Sequence, residues 1–281
     1  PFLISGCIGK SAMGKEVCYL QIGEGQTQVC YNACFHANEW ITAPILLKFA
    51  EEYAKAYAAG EELYGEDTEA LFKEFSLFLI PMVNPDGVDL VNGMIRNEDY
   101  LDQTKEIAAA YPAIPYPKGW KANINGIDLN LQFPAGWEQA REIKFAQGYV
   151  SPAPRDYVGE APLSAIESIN MYHFTRSHDF KLILAYHTQG EVIYWKYLDY
   201  EPENSRRIAE YFGSVSGYLV EETPTASGYA GYKDWFIQDY NRPGYTIEAG
   251  RGENPLEMNQ FPKIYQDNRL ILLGGMTQIR F

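Results

Sequence analysis

Histidine and cysteine are scarce in this chain, four of each among 281 residues. The cysteines, Cys7, Cys18, Cys30 and Cys34, all fall near the start, and none forms the Cys-x-x-Cys knuckle of a thiolate metal site. Their alternating strand positions predict buried thiols instead. Positive charge is also in short supply: 23 Lys+Arg stand against 37 Asp+Glu, a net charge of −14. That balance argues against a nucleic-acid or anionic-membrane partner, since it repels both at long range. No apolar run approaches the roughly 20 residues needed to span a bilayer, and no cleavable signal, repeat or low-complexity tract is visible. Without a basic patch or heptads, a purely structural interaction protein has little support. The start at Pro1-Phe2-Leu3-Ile4 lacks a Met and a polar lead-in, so a mature or trimmed chain is expected, with an N-terminal part of the full-length protein missing.

What is present describes an ordinary globular protein, 46% hydrophobic and 21% charged. The length suits one α/β domain, residues 1–281, with a large core. β-rich runs alternate with helical ones, the pattern of a sheet with helices on its faces. Strands are expected at 17–22, 28–35, 75–82, 182–188, 217–221 and 244–248. Helices are expected at 40–58, 68–73, 162–177, 202–215, 232–239 and 261–278. Between 84 and 155, Pro, Gly, Tyr, Trp and Asn dominate and periodicity fades, which predicts an ordered, site-forming excursion.

The motif richest in chemistry is Cys34-Phe35-His36-Ala37-Asn38-Glu39-Trp40-Ile41. An apolar run ends in a histidine and a glutamate three residues apart, and an amphipathic stretch follows. Imidazole and carboxylate are both zinc ligands, and this spacing lets them face one point from a strand-to-helix turn. His187 ends a second apolar run, at the place where open α/β sheets hold their ligands. His36, Glu39 and His187 together make three protein ligands with a fourth position left to water, the composition of a catalytic rather than a structural zinc site. His173 and His178 sit in a polar-aromatic stretch and suit solvated or capping roles. Glu248, closing Tyr245-Thr246-Ile247-Glu248, is a candidate base for the attacking water. Asp128 is a candidate acceptor for a ligand histidine's second N–H. Lys121, after Trp120, offers a cation to a developing oxyanion.

In order, Gly14-Lys15-Glu16-Val17, His36-Ala37-Asn38-Glu39, Pro81-Met82-Val83-Asn84-Pro85-Asp86-Gly87, Gly126-Ile127-Asp128-Leu129-Asn130, His187 and Thr246-Ile247-Glu248 resemble the zinc metallocarboxypeptidases. The resemblance spans nearly the whole chain. It implies a three-layer α/β/α sandwich on a mixed, about eight-stranded sheet, and one Zn2+ per chain at the carboxyl ends of central strands. It assigns His36, Glu39 and His187 as ligands, Glu248 as general acid/base and Asp128 as the residue orienting the first histidine. Lys121 stands where the family usually carries an oxyanion-stabilising arginine, so the charge is kept but the fork is lost.

The family's Asn-Arg pair reads Asn130-Leu131 here. Leucine cannot grip the C-terminal carboxylate that the arginine clamps. Together with Leu131-Gln132-Phe133-Pro134-Ala135-Gly136-Trp137 and His187-Thr188-Gln189-Gly190, that change resembles the bacterial γ-D-glutamyl-diamino acid peptidases. The resemblance implies a peptidoglycan stem peptide or another small peptide as partner, and a secreted or wall-associated location ahead of a cytoplasmic one. Substrate contacts are expected from Asn130, Leu131, Gln189 and Thr246, from Arg251 as a replacement anchor, and from either Tyr229 or Tyr232 as the substrate-capping tyrosine. The rivals are a conventional carboxypeptidase that reads the C-terminus by other means and an inactive module that only binds wall peptides.

Overall fold

The computed structural model describes residues 2–280. Among these, the strands are β1 (Leu3–Lys10), β2 (Glu16–Ile22), β3 (Thr27–Ala33), β4 (Glu62–Leu63), β5 (Glu66–Asp67), β6 (Phe75–Ile80), β7 (Phe180–His187), β8 (Val192–Tyr194), β9 (Leu219–Glu221) and β10 (Gly244–Glu248). The helices are α1 (Thr42–Ala59), α2 (Thr68–Glu74), α3 (Pro85–Val91), α4 (Glu98–Ala109), α5 (Trp137–Ala146), α6 (Ile166–Arg176), α7 (Ser205–Ser216), α8 (Tyr232–Tyr240) and α9 (Phe261–Thr277).

Eight strands form one mixed sheet in the order β1-β2-β6-β3-β7-β10-β8-β9, and β4 and β5 form a separate small ribbon. The central strands β6, β3, β7 and β10 run parallel. They are apolar on both faces, as a strand covered by helices on each side must be. Alternate residues supply the two cores. Val29, Tyr31, Leu77, Leu184 and Ile247 pack against α1, α7 and α9. Cys30, Phe78, Ile183 and Ala185 pack on the other face against α6 and α8. The result is the three-layer sandwich.

Parallel strands deliver their carboxyl ends to one edge. In register Glu248 lies beside His187, and Ala33 beside Tyr186. Beyond Ala33 the chain turns through His36 into a single 3-10 turn at Ala37–Glu39 and then α1. Thr42 holds that corner by donating through Oγ1 to the Glu39 carbonyl at 2.7 Å.

Several expectations need correction. Strands β1 and β8 were not expected. The residues between 84 and 155 contain three helices, α3, α4 and α5, around irregular chain. Helix α3 starts where Asn84 caps it, accepting from the Gly87 N–H, with Pro85 at the first position. Of the four thiols only Cys30 and Cys34 are buried; Cys7 and Cys18 are exposed and face each other across β1 and β2. His178 does cap, its Nδ1 lying 2.7 Å from the Phe174 carbonyl at the end of α6.

Candidate metal centre and active-site cleft

Three donor side chains meet at the carboxyl edge of the sheet. His36 Nδ1 lies 2.9 Å from Glu39 Oε1, His187 Nδ1 lies 2.9 Å from Glu39 Oε2, and the two ring nitrogens are 3.2 Å apart. In tetrahedral zinc, with bonds of about 2.0 Å, ligand atoms sit roughly 3.3 Å from one another. The spacing and the nitrogen-oxygen chemistry therefore both fit zinc. Among the described residues this is the one such cluster of His, Cys, Asp or Glu.

Each ring is held from behind. His36 turns Nε2 to Asp128 Oδ1 at 3.2 Å, which aims Nδ1 at the shared point. His187 stacks on Phe35, ring centroids 6.3 Å apart. Asp128 also accepts from the Asn130 and Asp156 N–H groups, so its own position is fixed.

The charges are interlocked. Burial works to raise Glu39, yet His36, Lys121 and His187 hold its carboxyl well below the usual carboxylate range. Burial disfavours a charge on His36 and Lys121 opposes it too, but the Glu39 and Asp128 carboxylates together outweigh both, and the ring is pushed up to about 9. Lys121 Nζ lies 3.2 Å from Glu39 Oε1; burial works to lower the ammonium, as does Arg155, but Glu39 with Asp128 and Glu248 outweighs them and raises it. Burial raises the Glu248 carboxyl, against the pull of the nearby His187.

His36, Lys121, Asp128, His187 and Glu248 line a cleft of about 210 Å³, and Asn130, Leu131 and Thr246 line it with them. It adjoins a groove of about 520 Å³ that shares Lys121 and Glu248 and adds Gln189 and Asn254. Glu248 thus lines both spaces. Leu131 is only 8% exposed and packs with Trp137, Ala140 and Val158, giving the cleft an apolar wall.

Other expected contacts lie elsewhere. Tyr232 is fully buried, packed on Phe35 and Phe133 with its hydroxyl 2.8 Å from Thr175 Oγ1, so it is a core residue and not a capping one. Tyr229 packs edge-on against Tyr197 and is not among the residues lining the cleft. Arg251 is 72% exposed in its side chain and donates through Nε to Glu191 Oε2, outside the cleft. Sequence reasoning missed Lys144, Arg155, Tyr194 and Lys233, which all line the cleft. Lys144 and Arg155 had a signal, since both lie in the excursion already expected to form a site.

A mixed sheet that gathers a His-Glu-His donor set at its carboxyl edge, with a glutamate in register beside the second histidine, is the framework of a zinc peptidase. The chain belongs to the zinc carboxypeptidase family, whose sequence model matches residues 4–271. It is 47% identical over 277 residues to the γ-D-glutamyl-L-diamino acid endopeptidase 1 of Lysinibacillus sphaericus, covering 98% of this chain and 68% of that one. Its fold is similar to that of carboxypeptidase A from Helicoverpa armigera, at 18% identity and a TM-score of 0.66, covering 100% of this chain and 70% of the other. It is also similar to murein-tripeptide amidase MpaA from Escherichia coli O157, at 16% identity and a TM-score of 0.55, covering 99% and 92%.

Proposed function

We propose that this zinc peptidase hydrolyses the bond between γ-D-glutamate and a diamino acid in peptidoglycan stem peptides, with the described residues acting as one catalytic domain. The observation that carries the reading is Leu131: an apolar side chain lines the cleft at the position where an ordinary carboxypeptidase carries the cation for the C-terminal carboxylate. The likeness, across 98% of this chain, to an endopeptidase named for that bond supports it.

His36, Glu39 and His187 would hold the metal, since His36 Nδ1, His187 Nδ1 and the Glu39 carboxylate converge on one point. When bound, zinc supplies Lewis-acid polarisation of a carbonyl and acidifies water. Glu248 takes a proton from the attacking water and returns it to the departing amine nitrogen. The Lys121 ammonium lies close enough to the donor set to stabilise the oxyanion of the tetrahedral state. Asp128 keeps the His36 ring aimed.

Losing the Lys121 charge should be costly. Lys121→Met is expected to lower kcat by roughly 10²- to 10³-fold, and Lys121→Arg to recover part of that, since charge without identical geometry still opposes the oxyanion. Equal kcat for the Lys121→Met variant and the wild-type enzyme would remove the lysine from the mechanism.

The function itself is tested by mass spectrometry of digested muropeptides. Release of a diamino-acid-bearing fragment from γ-D-glutamate is expected, and its absence would overturn the reading. Comparing a tripeptide with its C-terminally amidated twin separates the conventional carboxypeptidase, which requires the free carboxylate.

A further inference from the structure

Two cations at the cleft wall share one carboxylate. Lys144 Nζ lies 2.5 Å from Asp156 Oδ1, and Arg155 Nε donates to Asp156 Oδ2 at 2.6 Å. Asp156 balances one of these charges, so the trio keeps one positive charge in excess. The other lysines of the cleft are paired: Lys121 with Glu39, and buried Lys233 with Asp234 at 2.7 Å, with further bonds to the Lys196 carbonyl and Thr223 Oγ1. Arg155 differs. Asp156 is its hydrogen-bond partner among the described residues, taken by Nε, and neither Nη group has one.

The position of Arg155 is equally specific. It lines both the cleft and the adjoining groove, as do Lys121 and Glu248, so it stands where the two spaces meet. Its side chain is 41% exposed, leaving the fork accessible. The loop is firmly held. Asp156 has φ +65°, an uncommon conformation for a residue other than glycine, which persists where the surroundings enforce it. Those surroundings are the Lys144 pair on its side chain and the 3.1 Å bond from its N–H to Asp128 Oδ2. Asp128 in turn faces His36, so the fork and the donor set are positioned through one carboxylate.

A γ-linked glutamate presents chemistry that an ordinary peptide bond does not. Its γ-carboxyl is consumed in the scissile amide, leaving the α-carboxylate free on the acyl side; the diamino acid carries carboxylate on the amine side. We propose that Arg155 is the carboxylate clamp of this enzyme, gripping a substrate carboxylate next to the scissile bond through its Nη groups, in place of the arginine that position 131 lacks. Paired N–H donors in a rigid plane match a carboxylate's two oxygens. This rests on the γ-glutamyl reading above.

The test uses three peptides: a γ-D-glutamyl-diamino acid peptide, the same peptide with the glutamate α-carboxylate as carboxamide, and the same with the C-terminal carboxylate as carboxamide. Arg155→Ala is expected to lower kcat/KM on the parent about ten- to a hundredfold, chiefly through KM, with zinc content and Tm unchanged, and Arg155→Lys to recover part. The amide that removes the clamped carboxylate should be a poor wild-type substrate on which Arg155→Ala costs nothing further, which identifies the carboxylate. Calorimetric binding of the parent to Glu248→Gln, with and without Arg155→Ala, should weaken by the same factor. A variant within twofold of wild type on all three peptides, or equally impaired on all three, overturns the clamp. A wild-type enzyme that leaves the parent uncut overturns the γ-glutamyl reading instead, and unchanged binding in the calorimeter then overturns the clamp as well.

Discussion

Glu248→Gln is expected to lower kcat by roughly 10²- to 10⁴-fold, the usual contribution of a positioned general base, while zinc content stays at one per chain and substrate affinity changes little. The substitution keeps shape and volume and removes only the ability to accept a proton. Glu248 ends β10, whose register with β7 places it beside His187, and it lines both the cleft and the groove. It is not one of the three clustered donors, so metal retention separates loss of the base from loss of the site. Burial raises its carboxyl, which strengthens it as an acceptor near neutral pH. Zinc analysis by atomic absorption beside single-turnover kinetics makes the measurement. A glutamine enzyme within tenfold of wild type would place the base elsewhere.

The parts of the fold that were legible are those whose residues are buried on a periodic or continuous plan. Strands β3, β6, β7 and β10 are near-continuous apolar runs because helices cover both faces, and their ends fell within two or three residues of expectation. Strand β1 had no such signal. It lies at the sheet's edge, its residues mostly exposed, and Gly6 and Gly9 interrupt it. Strand β8 has three residues, too few to set a period. Helix α4 buries only Thr104 and Ala108, so no apolar stripe marks it against solvent.

The site divides along the same physical line. His187 and Glu248 end buried strands and His36 and Glu39 follow one, and parallel strands bring such ends together, so their meeting could be read from the chain. Arg155 and Lys144 reach the cleft through a loop and a short helix that cross the sheet's edge. Nothing in a local pattern reports that crossing, nor the left-handed backbone of Asp156 that fixes it. Tyr232 misled for the opposite reason: a tyrosine after glycines suits a lid, but at the start of α8 its ring enters the second core.

Stripping the metal is expected to abolish turnover yet leave the chain folded. A buried carboxylate without partners would be costly, but Glu39 has its own. Two imidazole nitrogens lie at 2.9 Å, Lys121 Nζ at 3.2 Å, and the Thr188 N–H donates at 3.3 Å. The donor set is therefore compensated by its own neighbours when the metal is gone, and the two cores that hold the sheet are packed from residues outside it. Zinc then stabilises by mass action alone. At a thousandfold excess over Kd that amounts to about 4 kcal/mol, and for a chain of this size the melting temperature should fall by roughly 7 °C on chelation. Returning zinc should restore both Tm and activity. His187→Ala removes one of three donors, so the variant should melt near the chelated wild type and show no rise with zinc. Thermal melts with chelator, with zinc and with neither, run beside metal analysis, decide the matter. A chelated protein unfolded at 25 °C would make the metal a structural requirement of the fold, and a His187→Ala variant that kept the zinc-dependent rise would remove His187 from the donor set.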